Sequence, residues 1–189
     1  MFEIEKSPLE GCFALRPKVF TDARGTFVKT FHKSTFEGLG LETNFRESFY
    51  SISNANVIRG LHFQVPPHDH VKLVTCTEGE VIDVVLDLRK FSPTYGKVAS
   101  FKITPENGLS VYIPKGMAHG FYSVKDRSTV TYSVSTEHHA AFDRGLLWSS
   151  IDFEWPTTSP IVSERDSKFP SLKDFESPFS CRRLNLKKK

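Results

Sequence analysis

Cysteine is scarce in this chain, and long apolar runs are missing. The three cysteines, Cys12, Cys76 and Cys181, are widely spaced and form no CxxC pair. An odd, scattered set argues against a disulfide framework or a structural zinc site and fits a reducing cytoplasm. No stretch approaches the roughly 20 apolar residues of a membrane span, and the N-terminus lacks the basic-then-apolar pattern of a signal peptide. A soluble cytoplasmic protein with no membrane partner is expected. A GxGxxG after a strand, a Walker-type loop and a GxSxG elbow are all absent. Nicotinamide binding, nucleotide hydrolysis and serine-hydrolase chemistry are therefore not indicated.

Charge of one sign is also in short supply. Lys and Arg number 25 against 22 Asp and Glu, a formal net charge of +3. Much of that excess sits in Arg182, Arg183, Lys187, Lys188 and Lys189. Such a tail can be read as a nucleic-acid arm, but a solvated chain end is the better reading. The near-neutral remainder disfavours wrapping a polyanion and leaves room for a small anionic substrate. No nucleic-acid partner is expected.

Phenylalanine, by contrast, is abundant, with 17 copies along the whole length. Many belong to short runs rich in Val, Ile, Phe, Thr and Tyr, separated by Gly, Pro, Asn and Asp. These predict strands near 11–15, 27–31, 47–53, 57–63, 71–76, 80–87, 96–103, 109–113, 119–124 and 128–135. The fold class is all-β, an antiparallel sandwich or barrel. Short helices are expected near 34–39 and 166–174. After Pro156 the strand pattern fades, so the remaining chain should wrap the barrel. At 189 residues one domain suffices.

Strand alternation places three polar residues on otherwise apolar faces. Lys72 shares its face with Val74 and Cys76, Asp83 with Val81 and Val85, and Tyr132 with Val130 and Val134. A turn near Glu78–Gly79 would bring Lys72 and Asp83 opposite one another across a hairpin. A buried charge costs several kcal/mol unless paired, so these positions need a reason. A structural Lys72–Asp83 ion pair is one. In Val57–Gln64, strict alternation would send Arg59 and His62 to opposite faces. If both face one pocket, Gly60 is the natural place for a bulge.

The histidines His62, His68, His70 and His119 invite a metal reading of the cupin kind, in which an HxH pair, a nearby Glu and a distant His hold the ion. The carboxylate is missing: Leu73, Val74 and Thr75 stand where it should fall, and Glu78 lies too far along. No metal and no other cofactor are expected. What remains suits proton transfer, with a histidine near neutral pKa, an inward tyrosine, a lysine and several carboxylates.

A series of motifs in order along the chain resembles the dTDP-4-dehydrorhamnose 3,5-epimerase family. They are Asp22-Ala23-Arg24-Gly25-Thr26-Phe27, Arg59-Gly60-Leu61-His62-Phe63-Gln64, Pro66-Pro67 with Lys72-Leu73-Val74, and Gly79 through Arg89. Ser92 through Gly96, Ile113 through Phe121, Tyr132 with Trp148, Trp155-Pro156 and Ser163 through Asp166 complete the set. The resemblance covers about residues 1–175, leaving 176–189 as a basic tail.

That resemblance implies a cupin-like jelly roll, a homodimer, no metal and a nucleotide-diphospho-sugar substrate. The implied reaction removes a proton alpha to the C4 ketone of a 4-keto-6-deoxy sugar and returns one to the opposite face, inverting C3, C5 or both. Its products would feed surface polysaccharides or decorated natural products. Carried over, His62 is the general base, Asp166 the carboxylate that orients it, and Tyr132 the acid on the other side. Lys72 would stand near the enolate oxygen, with Asp83 holding it or helping the histidine network. Arg24, Arg59 and His119 would contact nucleotide and pyrophosphate.

Departures cluster where the family recognises its nucleotide. Lys29 replaces a usual Glu, and the Q-x-N-x-S run becomes Glu47-Ser48-Phe49-Tyr50-Ser51. These changes suggest either a nucleotide other than dTDP or a rim substitution with the ligand unchanged. His70 replaces a Gln, and His138 replaces a second Tyr that shapes the sugar pocket, which could restrict inversion to one carbon. A non-catalytic sugar-nucleotide-binding cupin is the rival from another class. It gives no reason to retain His62, Tyr132 and Asp166 together.

Overall fold

The computed structural model describes residues 2–181; the basic stretch at 182–189 lies outside the described residues. In chain order the strands are β1 (Glu3–Lys6), β2 (Phe13–Arg16), β3 (Val19–Asp22), β4 (Gly25–Val28), β5 (Glu47–Ser53), β6 (Ile58–Gln64) and β7 (Lys72–Glu78). They continue with β8 (Val81–Asp87), β9 (Val98–Ile103), β10 (Ser110–Ile113), β11 (Met117–Ser123), β12 (Ser128–Val134) and β13 (Asp143–Gly145). Two short helices, α1 (Lys33–Gly38) and α2 (Glu164–Ser167), punctuate them.

Two antiparallel sheets face each other. One runs β1-β2-β10-β7-β12-β5, the other β13-β6-β11-β8-β9. Between them lies a core to which both contribute, including Val74, Val111 and Val130 from the first and Val81, Val85 and Phe121 from the second. This is a cupin-like jelly roll, the form of sandwich that the family resemblance implies. The ten strands expected from sequence are all present within a few residues, while β1, β3 and β13 were not foreseen. Each of these three is only three or four residues long, too short for alternation to declare itself.

The phenylalanines are mostly used to seal the outer faces. Phe2, Phe31, Phe36 and Phe45 join Leu15 and Leu73 in a cluster around α1, outside the six-stranded sheet. Outside the five-stranded sheet, Val84, Leu86 and Phe63 meet Ile151, Trp155, Phe175 and Phe179 from the C-terminal segment. The described residues after Pro156 therefore do wrap the barrel. The wrap does not stop at residue 175: Phe179 and Ser177 are buried, and Cys181 N–H donates to Lys90 O at 2.8 Å. The second helix differs too. Only α2 and a separate 3-10 turn at Leu172–Asp174 form, with Pro170 between them unable to donate the backbone bond a continuous helix needs.

One inferred pairing is wrong. β7 bonds to β10 and β12, whereas β8 bonds to β9 and β11, so the turn at Glu78–Gly79 carries the chain from one sheet to the other. Gly79 adopts φ of 81°, and a Cβ there would lie 2.5 Å from Ser128 Oγ. A tight turn between two apolar runs looks the same in sequence whether it closes a hairpin or turns a corner. Lys72 and Asp83 are thus not hairpin neighbours; they project into the interior from facing sheets.

Candidate active site

The puzzle posed by Arg59 and His62 is settled by the ladder between β6 and β11. His62 pairs with His119 and Arg59 with Phe121, so three steps on β6 match two on β11. The extra residue is accommodated at Gly60, whose φ is 124°. No other residue fits, because a Cβ there would lie 2.5 Å from Gly120 Cα and 2.9 Å from His119 O. The bulge turns both Arg59 and His62 toward one cavity of about 350 Å³.

On this wall the His62 imidazole meets a carboxylate from the far end of the chain. Asp166 Oδ1 accepts from His62 Nε2 at 2.9 Å, and its Oδ2 accepts the Gly60 N–H at 3.0 Å. Asp166 is held by α2, whose N-cap Ser163 Oγ accepts the Asp166 N–H at 3.0 Å. Burial alone would raise the Asp166 pKa, but the hydrogen bonds from His62 and Gly60 outweigh it and hold the carboxyl below its usual range. An ionised Asp166 fixes the proton on Nε2 of His62. Nδ1 is left as the lone-pair nitrogen, bonded to no described residue. Phe169 closes the back of the imidazole edge-on, its ring centroid 5.7 Å away.

The facing sheet supplies Tyr132. Its ring lies parallel to that of Phe49, with centroids 4.7 Å apart and planes 15° apart. On another side His119 meets it edge-on at 5.8 Å. Burial pushes the phenol's pKa well up, Asp83 adds to that, and the neighbouring Ser51 hydroxyl pulls it down. Tyr132 is therefore a protonated donor at neutral pH.

Lys72 is buried, and its Nζ donates to His62 O at 3.2 Å. Burial lowers its pKa to about 8, with Asp143 and Asp83 opposing that fall. Asp83 does not pair with Lys72. Its Oδ2 takes His119 Nε2 at 2.6 Å, and both side chains are sealed from solvent. His119, expected among the nucleotide and pyrophosphate contacts, is thus a buried wall residue beside Tyr132. Burial pushes its pKa down, against the pull of Asp83.

The remaining expected contacts divide in two. Arg59, Glu47, Phe49 and His138 line the same cavity. Arg59 is exposed at its rim and braced by Ser53 Oγ at 2.9 Å. Glu47 is already engaged, since its carboxylate accepts the His138 N–H at 2.6 Å and ties β5 to the loop after β12. His138 Nε2 stands 3.4 Å from Asp143, which also takes Arg165 at 2.6 Å. Arg24 and Lys29, by contrast, are not brought to this cavity within one chain. They lie on and after the β3–β4 hairpin, a separate two-stranded sheet, and Arg24 pairs with Asp22 at 2.6 Å.

Several cavity residues had no signal of their own. Gln64 Oε1 accepts the His139 N–H at 2.6 Å, while its amide donates to His68 O and Glu137 O. Asp143 and Arg165, also on the cavity wall, and Phe169 behind the imidazole were likewise missed; only Arg165 had a hint, as the neighbour of Asp166. The cupin-type histidines take separate partners, although His62, His70 and His119 all line the cavity. His68 packs on His139 and Phe142, His70 meets Gln64, and His119 holds Asp83. Among the described residues no group of three or more His, Cys, Asp or Glu converges as a metal site would.

An oriented imidazole on one sheet and a protonated phenol on the other, both opening on one cavity, are an arrangement with the chemistry to move protons at a carbon placed between them. That places the molecule among the cupin-like isomerases. The profile of the dTDP-4-dehydrorhamnose 3,5-epimerase family matches residues 6–174. The Shigella flexneri dTDP-4-dehydrorhamnose 3,5-epimerase is 39% identical over 85% of this chain and 91% of its own. The crystal structure of the Bacillus anthracis enzyme of that name, with TDP and PPi bound, superposes with a TM-score of 0.88 at 35% identity, covering 91% of this chain and all of that one (100%). The Legionella pneumophila dTDP-6-deoxy-D-glucose-3,5-epimerase, in complex with dTDP-4-keto-L-rhamnose, gives 0.91 at 28% identity, covering 96% and 100%. The chain belongs to the dTDP-4-dehydrorhamnose 3,5-epimerase family, and it is a carbohydrate epimerase.

Proposed function

We propose that this protein inverts C3 and C5 of a dTDP-linked 4-keto-6-deoxy sugar. His62, oriented by Asp166, removes the proton alpha to the ketone. Lys72 in its cationic form stabilises the enolate oxygen, and Tyr132 delivers a proton from the other side. The observation that carries this reading is the placement of His62 and Tyr132 on facing sheets with one cavity between them. Inversion needs two proton carriers on opposite faces, each worth about 10²–10⁴ in rate when positioned. A donor aimed at the forming oxyanion in a dry site adds roughly 3–4 kcal/mol. Arg59, exposed at the rim, suits the diphosphate.

The departures at residues 47 and 49 need no change of nucleotide. Glu47 is satisfied by the His138 backbone and Phe49 by Tyr132, so both substitutions are absorbed by internal contacts. The test is incubation in D2O with a 4-keto-6-deoxy sugar carried on dTDP, CDP, GDP or UDP, read by NMR. Deuterium at C3 and C5 with inversion, fastest on dTDP, is expected. No exchange at either carbon on any carrier overturns the reading.

The working form we propose is a cytoplasmic homodimer. The three free cysteines suit a reducing compartment, and no helix among the described residues is long and apolar enough to cross a membrane. Phe20 and Phe27 of the hairpin and Tyr50 and Ile52 on the outer face of β5 are all about half exposed or more. Arg24 and Lys29 sit on that same hairpin region. Sedimentation of the protein against Tyr50→Glu, with the variant shifted to monomer, checks the contact.

A further inference from the structure

What holds the Tyr132 phenol in place is a ring contact more than a hydrogen bond. Its hydroxyl makes no hydrogen bond of normal geometry to a described residue; the Ser51 hydroxyl stands beside it but is itself unpaired. The ring is instead fixed by Phe49, its direct partner across the β5–β12 ladder, stacked nearly parallel. Phe49 and Ser51 are alternate residues on one face of β5, so both turn toward Tyr132, one to the ring and one to the hydroxyl. β5 is an edge strand of its sheet, and Phe49 remains 45% exposed. One face of Phe49 therefore covers Tyr132 while the rest of it meets the cavity and solvent. Without that cover, the acid would stand on an open edge, wet on one side and free to rotate.

We propose that Phe49 is the positioning residue for the acid. It fixes the plane of the Tyr132 ring and keeps water from that face, so the enolate is reprotonated by the phenol on the far side before His62 returns a proton to the near side. The proposal rests on the epimerase reading above and adds a role that the wall position of Phe49 alone does not give. A general acid displaced by about 1 Å loses up to about a hundredfold in rate. Loss of a stacked partner that leaves the ring in its pocket should cost less, on the order of tenfold.

The signature is a partition. When His62 removes the proton and exchanges it with D2O, the enolate either takes a deuteron back from His62 on the same face or receives a proton equivalent from Tyr132 on the other. Exchange without inversion reports the first path and inversion the second. Phe49→Leu is expected to lower the inversion-to-exchange ratio about tenfold, with exchange itself changed less than about threefold. Phe49→Tyr, which restores a stacking ring, is expected to return the ratio to within about twofold of the parent. If Phe49→Leu melts well below the parent, the same ratio is read in Phe49→Met.

An unchanged ratio in Phe49→Leu, a proportional fall of both rates, or failure of Phe49→Tyr to rescue would each overturn the proposal. Tyr132→Phe separates the two ideas. If it lowers the ratio and Phe49→Leu does not, the positioning role fails and the epimerase stands. If the parent shows neither exchange nor inversion, both fail together.

Discussion

Asp166 grips the β6 bulge at two points, taking the His62 imidazole on one carboxylate oxygen and the Gly60 backbone N–H on the other. The same carboxylate thus fixes the tautomer of the base and the backbone geometry that aims it. Asp166→Asn keeps the size but can offer only one acceptor oxygen. If that oxygen stays on Gly60, the amide nitrogen faces His62 and forces the proton to Nδ1, where the lone pair is needed. Exchange in D2O is expected to fall about 10²–10⁴-fold with the melting temperature little changed.

Lys72 gives the reaction an alkaline limit. Its pKa is lowered to about 8 by burial, so the ammonium is present below that pH and lost as pH rises through it. kcat/KM is expected to fall above about pH 8. Lys72→Met should lower the plateau by about 10²–10³ and remove that limb, since no cation remains to titrate. A limb that persists unchanged in Lys72→Met would assign it to another group. The same shift has a stability counterpart: between about pH 8 and 10.5 the unfolded lysine binds the proton more readily, so this group's contribution to stability rises with pH there.

Much of this was legible in the sequence, for identifiable reasons. Alternation with apolar neighbours singled out Lys72, Asp83 and Tyr132, and Gly60 in an otherwise regular strand marked the bulge. These are local signals. What could not be read was which sheet each strand joins: the corner at Gly79 carries the same residues as a hairpin, so the sequence leaves Asp83 between Lys72 and the histidine network, and only the fold shows its partner to be His119, 36 residues away. The roles of Gln64, which closes the Arg59–Gln64 motif, and of Asp143 are hidden for the same reason, since their partners lie on other elements. The Phe49–Tyr132 stack is a cross-strand contact that depends on register, and a composition rule sees only one more phenylalanine.

Gly145 is a second place where backbone room serves the site. It pairs with His62 on the β13–β6 ladder, and a Cβ there would lie 2.1 Å from the Phe169 ring. Phe169 in turn backs the His62 imidazole. Gly145→Ala is expected to push Phe169 off the histidine, costing about 1–3 kcal/mol of stability by overpacking and lowering exchange more than ten-fold. Denaturant titration and D2O exchange on the same sample check both parts. Gly145→Ala combined with Phe169→Leu, which removes the clash, should recover most of the stability.

The stability of the corner after β8 rests on Asp87, which is fully buried and accepts from Arg89, Ser92 and Thr94. Burial would raise its pKa, but the Arg89, Thr94 and Ser92 hydrogen bonds prevail and hold it below the usual carboxylate range. A carboxyl depressed in the folded state adds stability above its unfolded pKa of about 3.9, and that contribution is lost as pH falls through the folded value. Asp87→Ala leaves the Arg89 guanidinium without its counter-charge and two hydroxyls without their acceptor. A cost of about 3–5 kcal/mol is expected by urea titration at pH 7. The difference from the parent should shrink as both are titrated below about pH 4, where the carboxylate of the unfolded parent begins to take up a proton that the folded one still refuses. A gap that stays constant down to pH 2 would mean that packing, and not the ionised carboxylate, holds the corner together.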